Sequence, residues 1–415
     1  MKLKRMFFSK CDMMTWILAR WRAFAVLFIP VKILLILITP LGFSTTASQS
    51  DFSNWILKAA LIFNILSAGK IPCLSPFGVY FGIELILAPF FWVWTMLPIQ
   101  HPPMLSLVNF SVPAITLALL MKMPILFSDI VTGILLSRLV RKLTRSKTSS
   151  ALAGLTWFVN PFNIYWLYAY GAMDVIPTAI VLLALNFGFD NEWLRTGTCT
   201  FVAGLLRVFP FVSLPFLLPL ARAKLARIHL FIGSLIPIML VLFALFIQES
   251  RGCQNSILSI PGREPWLLRF LGLDIVGGGS WAFVVKLAPV VILVQLYVVL
   301  RYWRDDANIV HLVSVPFLAL MVGADVYGGS AYHFLPVSPL LSACLALHPR
   351  KEAWLYTLIF ITAILFPGIQ WLGWLFPIYP VIGTFLAGAF YAAKAAYLIR
   401  LNMWNFKSHN KSNQS

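Results

Sequence analysis

Long, almost unbroken apolar runs constrain this chain more than any motif does. Ile228–Ile247 and Phe283–Leu300 each have about the 20 residues that cross a hydrocarbon core of roughly 30 Å as a helix. In lipid every backbone N–H and C=O must be bonded within the protein, so only helices and closed barrels span a bilayer. Barrel strands would be short and would alternate in polarity, which these runs do not. With 60% hydrophobic and 11% charged residues and a mean hydropathy of +0.86, a soluble fold would leave too much apolar surface in water. The expected class is all-α, a polytopic transmembrane helical bundle of about 12–14 spans.

The net charge of +18 would suggest nucleic acid in a soluble protein. Here its distribution sets orientation instead, because lysine and arginine flanking membrane spans stay on the cytoplasmic side. Lys2, Lys4, Arg5, Lys10, Arg20 and Arg22 precede the first apolar run, and Arg141, Lys142, Arg145 and Lys147 follow a later one. Arg222/Lys224/Arg227, Arg301/Arg304, Arg350/Lys351 and the tail with Arg400, Lys407 and Lys411 fall on the same side if the spans alternate. The expectation is a multi-pass protein of the cell membrane or endoplasmic reticulum membrane with both termini cytoplasmic, the bilayer as partner and no nucleic acid.

The spans are expected near 23–41, 78–98, 105–121, 124–140, 150–167 and 175–189, then a broken pair over 196–220. Later ones lie near 228–247, 283–300, 309–324, 335–347, 354–369 and 379–399. Lys122-Met123-Pro124 reads as an outer turn, as does Tyr168 to Asp174, and 248–281 reads as a long outer segment. No fixed-period repeat appears. The chain divides into a cytoplasmic segment 1–22, one integral domain 23–400 and a cytoplasmic tail 401–415. The first span has no small-residue cleavage site that stands out, so it is expected to be retained.

Asp51 follows the first span in Ser48-Gln49-Ser50-Asp51-Phe52-Ser53-Asn54-Trp55. An acid at the bilayer surface, on the side away from the basic clusters, is a candidate general base, because ionisable groups near a membrane are costly. Apolar residues recur at helical spacing through Trp55, Ile56, Ala59, Ala60 and Phe63, which predicts an interfacial helix in the first outer loop. Gly69-Lys70-Ile71-Pro72 ends it. Asp51 could equally serve only as its N-cap. Cys11, Cys73, Cys199, Cys253 and Cys344 show no metal-ligand spacing. A Cys73–Cys253 disulfide and free thiols both stand open.

Taken in order, several fragments resemble the GT-C superfamily of polytopic glycosyltransferases, and within it the mannosyltransferase-type branch that uses polyprenyl- or dolichyl-phosphate sugars. They are Asp51 to Trp55, Gly69-Lys70-Ile71-Pro72 with Pro76 to Tyr80, Lys122 to Asp129, and Asn160-Pro161-Phe162. Tyr170-Gly171-Ala172-Met173-Asp174-Val175-Ile176-Pro177, Gly204 to Pro210 with Leu214-Pro215, and Tyr332-His333-Phe334-Leu335-Pro336 complete the series, which covers residues 20–345. The resemblance implies transfer of a hexose, mannose first, from a lipid-phosphate sugar to a lipid or glycan acceptor on the extracytoplasmic face. It also implies that Asp51 acts as, or helps position, the base. Many such enzymes have two nearby acids in the first outer loop, whereas Asp51 has no acidic neighbour before Glu84. The pattern calls for no cofactor; a divalent metal is compatible with it but not indicated.

Such a transfer needs an aligned, partly deprotonated acceptor hydroxyl and a cationic or hydrogen-bonding site for the departing phosphate. Arg207 and His333 are the candidates for the phosphate. A guanidinium binds phosphate with two parallel bonds, although Arg207 could instead snorkel and His333 could bond a neighbouring carbonyl. Asp129, Asp174, Lys122 and Tyr332 are cavity candidates. Asp129 and Asp174 read as outer ends of apolar spans, where an acid caps a helix or faces substrate, and a Lys122–Asp129 salt bridge is conceivable. Buried Glu84 would pair with Lys122 or Arg207. Two other readings compete: a catalytically silent assembly subunit, and a transporter, against which the placement of the acids at one face argues. The sequence leaves the sugar, the acceptor and the oligomeric state open.

Overall fold

The structure, a computed structural model, describes residues 20–40, 51–69, 82–102, 111–206, 210, 217–218, 221, 223–250, 335 and 338–347. Among these residues every regular element is helical. In chain order they are α1 (Trp21–Ile38), α2 (Asp51–Ser67), α3 (Ile83–Thr95), α4 (Val112–Thr144), α5 (Lys147–Val159), α6 (Pro161–Ile164), a π-helical turn (Tyr165–Tyr170), α7 (Val175–Phe189), α8 (Trp193–Leu206), α9 (Lys224–Ser250) and α10 (Ser338–Leu347). Two of them, α1 and α4, are long and apolar enough to cross a membrane.

The central element is α4. Ser111 accepts the Ala114 N–H at its start, and Pro113 sits in the first turn, where a missing N–H costs nothing. Its end is closed by Arg145 in a left-handed conformation (φ 56°), with Arg141 and Lys142 in the last turn complementing the helix dipole. Its 33 residues span about 50 Å. The turn expected at Lys122-Met123-Pro124 is therefore not formed. Pro124 deletes one helical hydrogen bond without ending the helix, and the expected spans 105–121 and 124–140 belong to one element.

Ser146 caps α5 through the Ser149 N–H, and Ser137–Ser150 side-chain bonding at 2.8 Å ties the α4–α5 hairpin together. Asn160 ends α5 in an extended conformation, as a residue before proline does, and its side chain accepts the Phe162 N–H. Gly171 and Ala172 both donate back to the Trp166 carbonyl, closing the π turn. Gly171 does so with φ +86°, a conformation that favours glycine.

The helix expected in the first outer loop is present as α2, with Phe52, Trp55, Ile56, Ala59, Ala60 and Ile62 buried. It packs on α3: Lys58 lies 3.6 Å from Glu84, and Phe63 stacks on Phe91. These pairs set α2 and α3 side by side and pointing the same way. Glu84 thus pairs with Lys58, while Lys122 bonds the Thr39 and Tyr168 carbonyls instead; Arg207 lies outside the described residues. The Trp94 indole donates to the Pro113 carbonyl, so α3 runs toward the start of α4. With 13 residues, α3 is about 20 Å long, shorter than the span expected over 78–98.

Further along, α7 is stitched to α4 where Asn186 donates to the Leu135 carbonyl and Lys142 donates to the Asn186 carbonyl and Asp190. The pair α8 and α9 cross closely. A Cβ added at Gly197 would fall 2.1 Å from the Leu230 carbonyl oxygen, and one at Gly233 would fall 2.0 Å from that of Leu194. Small residues let backbones approach in this way.

A candidate functional site built on buried charge

Asp129 sits near the middle of α4 and is 1% exposed. It is not at the outer end of a span, as its sequence context suggests; the merging of two expected spans moves it to the interior of one helix. Lys32 of α1 donates to its Oδ2 at 2.5 Å, the Tyr168 hydroxyl donates to the same oxygen at 2.5 Å, and the Trp157 indole donates to Oδ1 at 2.7 Å. Four elements, α1, α4, α5 and the π turn, therefore meet on one carboxylate. The Lys32 ammonium also lies over the Phe158 ring at 4.7 Å, a favourable seat for a desolvated cation.

Lys122 sits about 15 Å along the axis from Val112 and is fully buried. It does not pair with Asp129. It donates to the Thr39 carbonyl at 3.0 Å and the Tyr168 carbonyl at 2.8 Å, and its ammonium lies 4.8 Å from the centre of the Phe52 ring. The π turn makes this geometry available. In an α-helix the Tyr168 carbonyl would accept the Ala172 N–H, but that N–H goes to Trp166, so the Lys122 ammonium can take its place on Tyr168.

The network continues through the bundle. Asn163 donates to the Trp157 carbonyl at 3.1 Å, and the Ser338 hydroxyl of α10 donates to Asn163 Oδ1 at 2.7 Å. A connected polar path thus runs from Thr39 through Lys122, Tyr168, Asp129 and Trp157 to Asn163 and Ser338, and buried polar groups are stable only when joined in this way.

Asp174 begins α7 and is buried, its carbonyl accepting the Thr178 hydroxyl at 2.6 Å. Its side chain makes no cap bond. The segment Gly171 to Asp174, expected as an outer turn, is buried as well. Phe52 packs against Gly171, where a Cβ would meet the ring at 2.7 Å. Phe52, the residue after Asp51, therefore seats the first turn of α2 on Gly171. Two stretches read from the sequence as outer loops are brought together here.

Arg207, His333 and Tyr332 lie outside the described residues, as do Cys73 and Cys253. Their neighbours are described: Leu206 ends α8 against Gly82, and Ser338 opens α10 on Asn163. Among the described residues, no group of three or more His, Cys, Asp and Glu side chains is placed to hold a metal ion.

Beside the polar path, a cavity of about 560 Å³ lies between α3, α4 and α7. Ile86, Phe90, Phe127, Val131, Ile180 and Leu183 line it, and Ser128 supplies a lone hydroxyl among its walls. Sequence reasoning overlooked Lys32, Trp157 and Asn163. Lys32 carried a usable signal, a single cation in the apolar run of α1. Trp157 and Asn163 carried none, since tryptophan and asparagine in apolar helices rarely announce a partner. No protein-family model, curated protein or solved structure matches the chain.

Proposed function

We propose that the protein is a polytopic membrane glycosyltransferase that moves a hexose, mannose first, from a polyprenyl-phosphate sugar to a lipid or glycan acceptor on the extracytoplasmic face. The observation that carries this reading is the seating of Phe52 on Lys122 and Gly171. It joins the Asp51 segment to the Tyr170–Asp174 segment, two of the stretches whose sequences resemble the GT-C pattern. In the reaction, the acceptor oxygen bonds to the anomeric carbon of the sugar and the carbon–oxygen bond to the lipid phosphate breaks. The hydroxyl proton passes to the Asp51 carboxylate, and the lipid phosphate leaves stabilised by Arg207 and His333. The apolar cavity between α3, α4 and α7 suits the alkyl part of a lipid-linked substrate.

The test is incubation of the purified protein with a panel of polyprenyl-phosphate sugars, reading released lipid phosphate and glycosylated acceptor. Asp51→Asn is expected to abolish transfer while membrane insertion persists, and undiminished transfer would remove Asp51 from the mechanism.

One observation favours a second reading, transport. Transporters hold ionisable groups near the midplane beside broken helices, and Lys32 and Asp129 pair near the middle of α4 against Trp157, in the last turn before α5 breaks at Asn160-Pro161. Counterflow of a solute in proteoliposomes, without a covalent product, would select that reading.

A further inference from the structure

Lys122 reads from the sequence as a residue facing substrate, yet its surroundings leave no room for one. An ammonium has three N–H donors. Here the three have three partners: the Thr39 carbonyl, the Tyr168 carbonyl and the face of Phe52. The side chain is fully buried. Two of the partners have a particular place in the chain, since Thr39 is just beyond the end of α1 and Phe52 is in the first turn of α2. One cation therefore grips both ends of the connection that leads to Asp51, and the third contact fixes both ends to the π turn.

We propose that Lys122 is the positioning residue of the site, a clamp that fixes the entry to α2 and with it the place of the first residue of that helix, Asp51. This deepens the glycosyltransferase reading and rests on it for the role of Asp51. The clamp itself rests only on the contacts. Methionine matches the length of lysine but binds no carbonyl, so Lys122→Met leaves Thr39, Tyr168 and Phe52 without their common partner. Substrate binding away from Asp51 is untouched. The expected result is a kcat lower by about 100-fold with KM for the donor unchanged, the signature of a misplaced reacting group.

The experiment pairs that kinetic reading with a measurement independent of activity. Spin labels at Leu61→Cys on α2 and Phe127→Cys on α4, both exposed positions, are introduced with the native cysteines replaced by serine, in detergent. With Lys122 present the distance distribution is a single narrow peak; with Lys122→Met that peak is lost. Phe52→Leu, which keeps both carbonyl bonds, serves if Lys122→Met does not fold, and is expected to broaden the same peak. A peak unchanged in the variants overturns the clamp. A peak that is lost while the wild-type protein transfers no sugar overturns the enzymatic reading and leaves the clamp standing.

Discussion

Asp129 shows how one side chain can hold a bundle. Its carboxylate takes bonds from Lys32, Tyr168 and Trp157, and the pair with Lys32 is 2% and 1% exposed on its two sides. Breaking such a pair leaves an uncompensated buried charge, so Asp129→Ala is expected to lose about 3–5 kcal/mol, read as a lowered thermal midpoint in detergent. Lys32→Met alone should cost a comparable amount. The double variant Lys32→Met/Asp129→Ala should cost clearly less than the sum of the singles, because neither charge is stranded. Additive losses in that cycle would mean that the two groups do not interact.

At the scale of helices, the α8–α9 crossing makes a sharp contrast with its surroundings. A side chain at Gly197 or Gly233 runs into backbone, which cannot move aside cheaply, so Gly233→Leu is expected to destabilise by about 1–3 kcal/mol. At Gly188 of α7 a Cβ would meet its nearest atom at an ordinary 3.6 Å, and Gly188→Ala should stabilise by about 0.5–1 kcal/mol through helix propensity alone. Denaturant titration of both variants reads the difference in sign. Among the helices, α2 was legible because its apolar periodicity is carried by its own residues. The interruption at Lys122-Met123-Pro124 misled because a charge and a proline are local breakers only when nothing else satisfies them. The Thr39 and Tyr168 carbonyls that neutralise the effect of Lys122 are 83 and 46 residues away. A separation of 97 residues likewise hid the Lys32–Asp129 pair, which made Asp129 resemble a helix end.

For the whole molecule, two changes to the expected topology offset each other. The spans 105–121 and 124–140 merge into α4, and α3 is too short for a crossing of its own. With both changes, the expected arrangement is α1 leading outward and α4 returning, which keeps Arg141, Lys142, Arg145 and Lys147 on the N-terminal side. Cysteine accessibility in sealed vesicles checks this arrangement. Lys147→Cys should react only after permeabilisation and Ala68→Cys from outside, whereas Met123→Cys, exposed on α4, should resist a polar maleimide from both sides. Ready labelling of position 123 from outside would restore the turn.

The grip of Lys122 also has a bearing on synthesis. Thr39, Phe52 and Lys122 leave the ribosome before Tyr168, so a nascent chain that has just completed α4 has one of the three acceptors of its buried ammonium still missing. The N-terminal helices can only be provisionally seated until the π turn arrives. A translation product arrested before residue 161 should accordingly be degraded by quality-control proteases faster than one extended past residue 175.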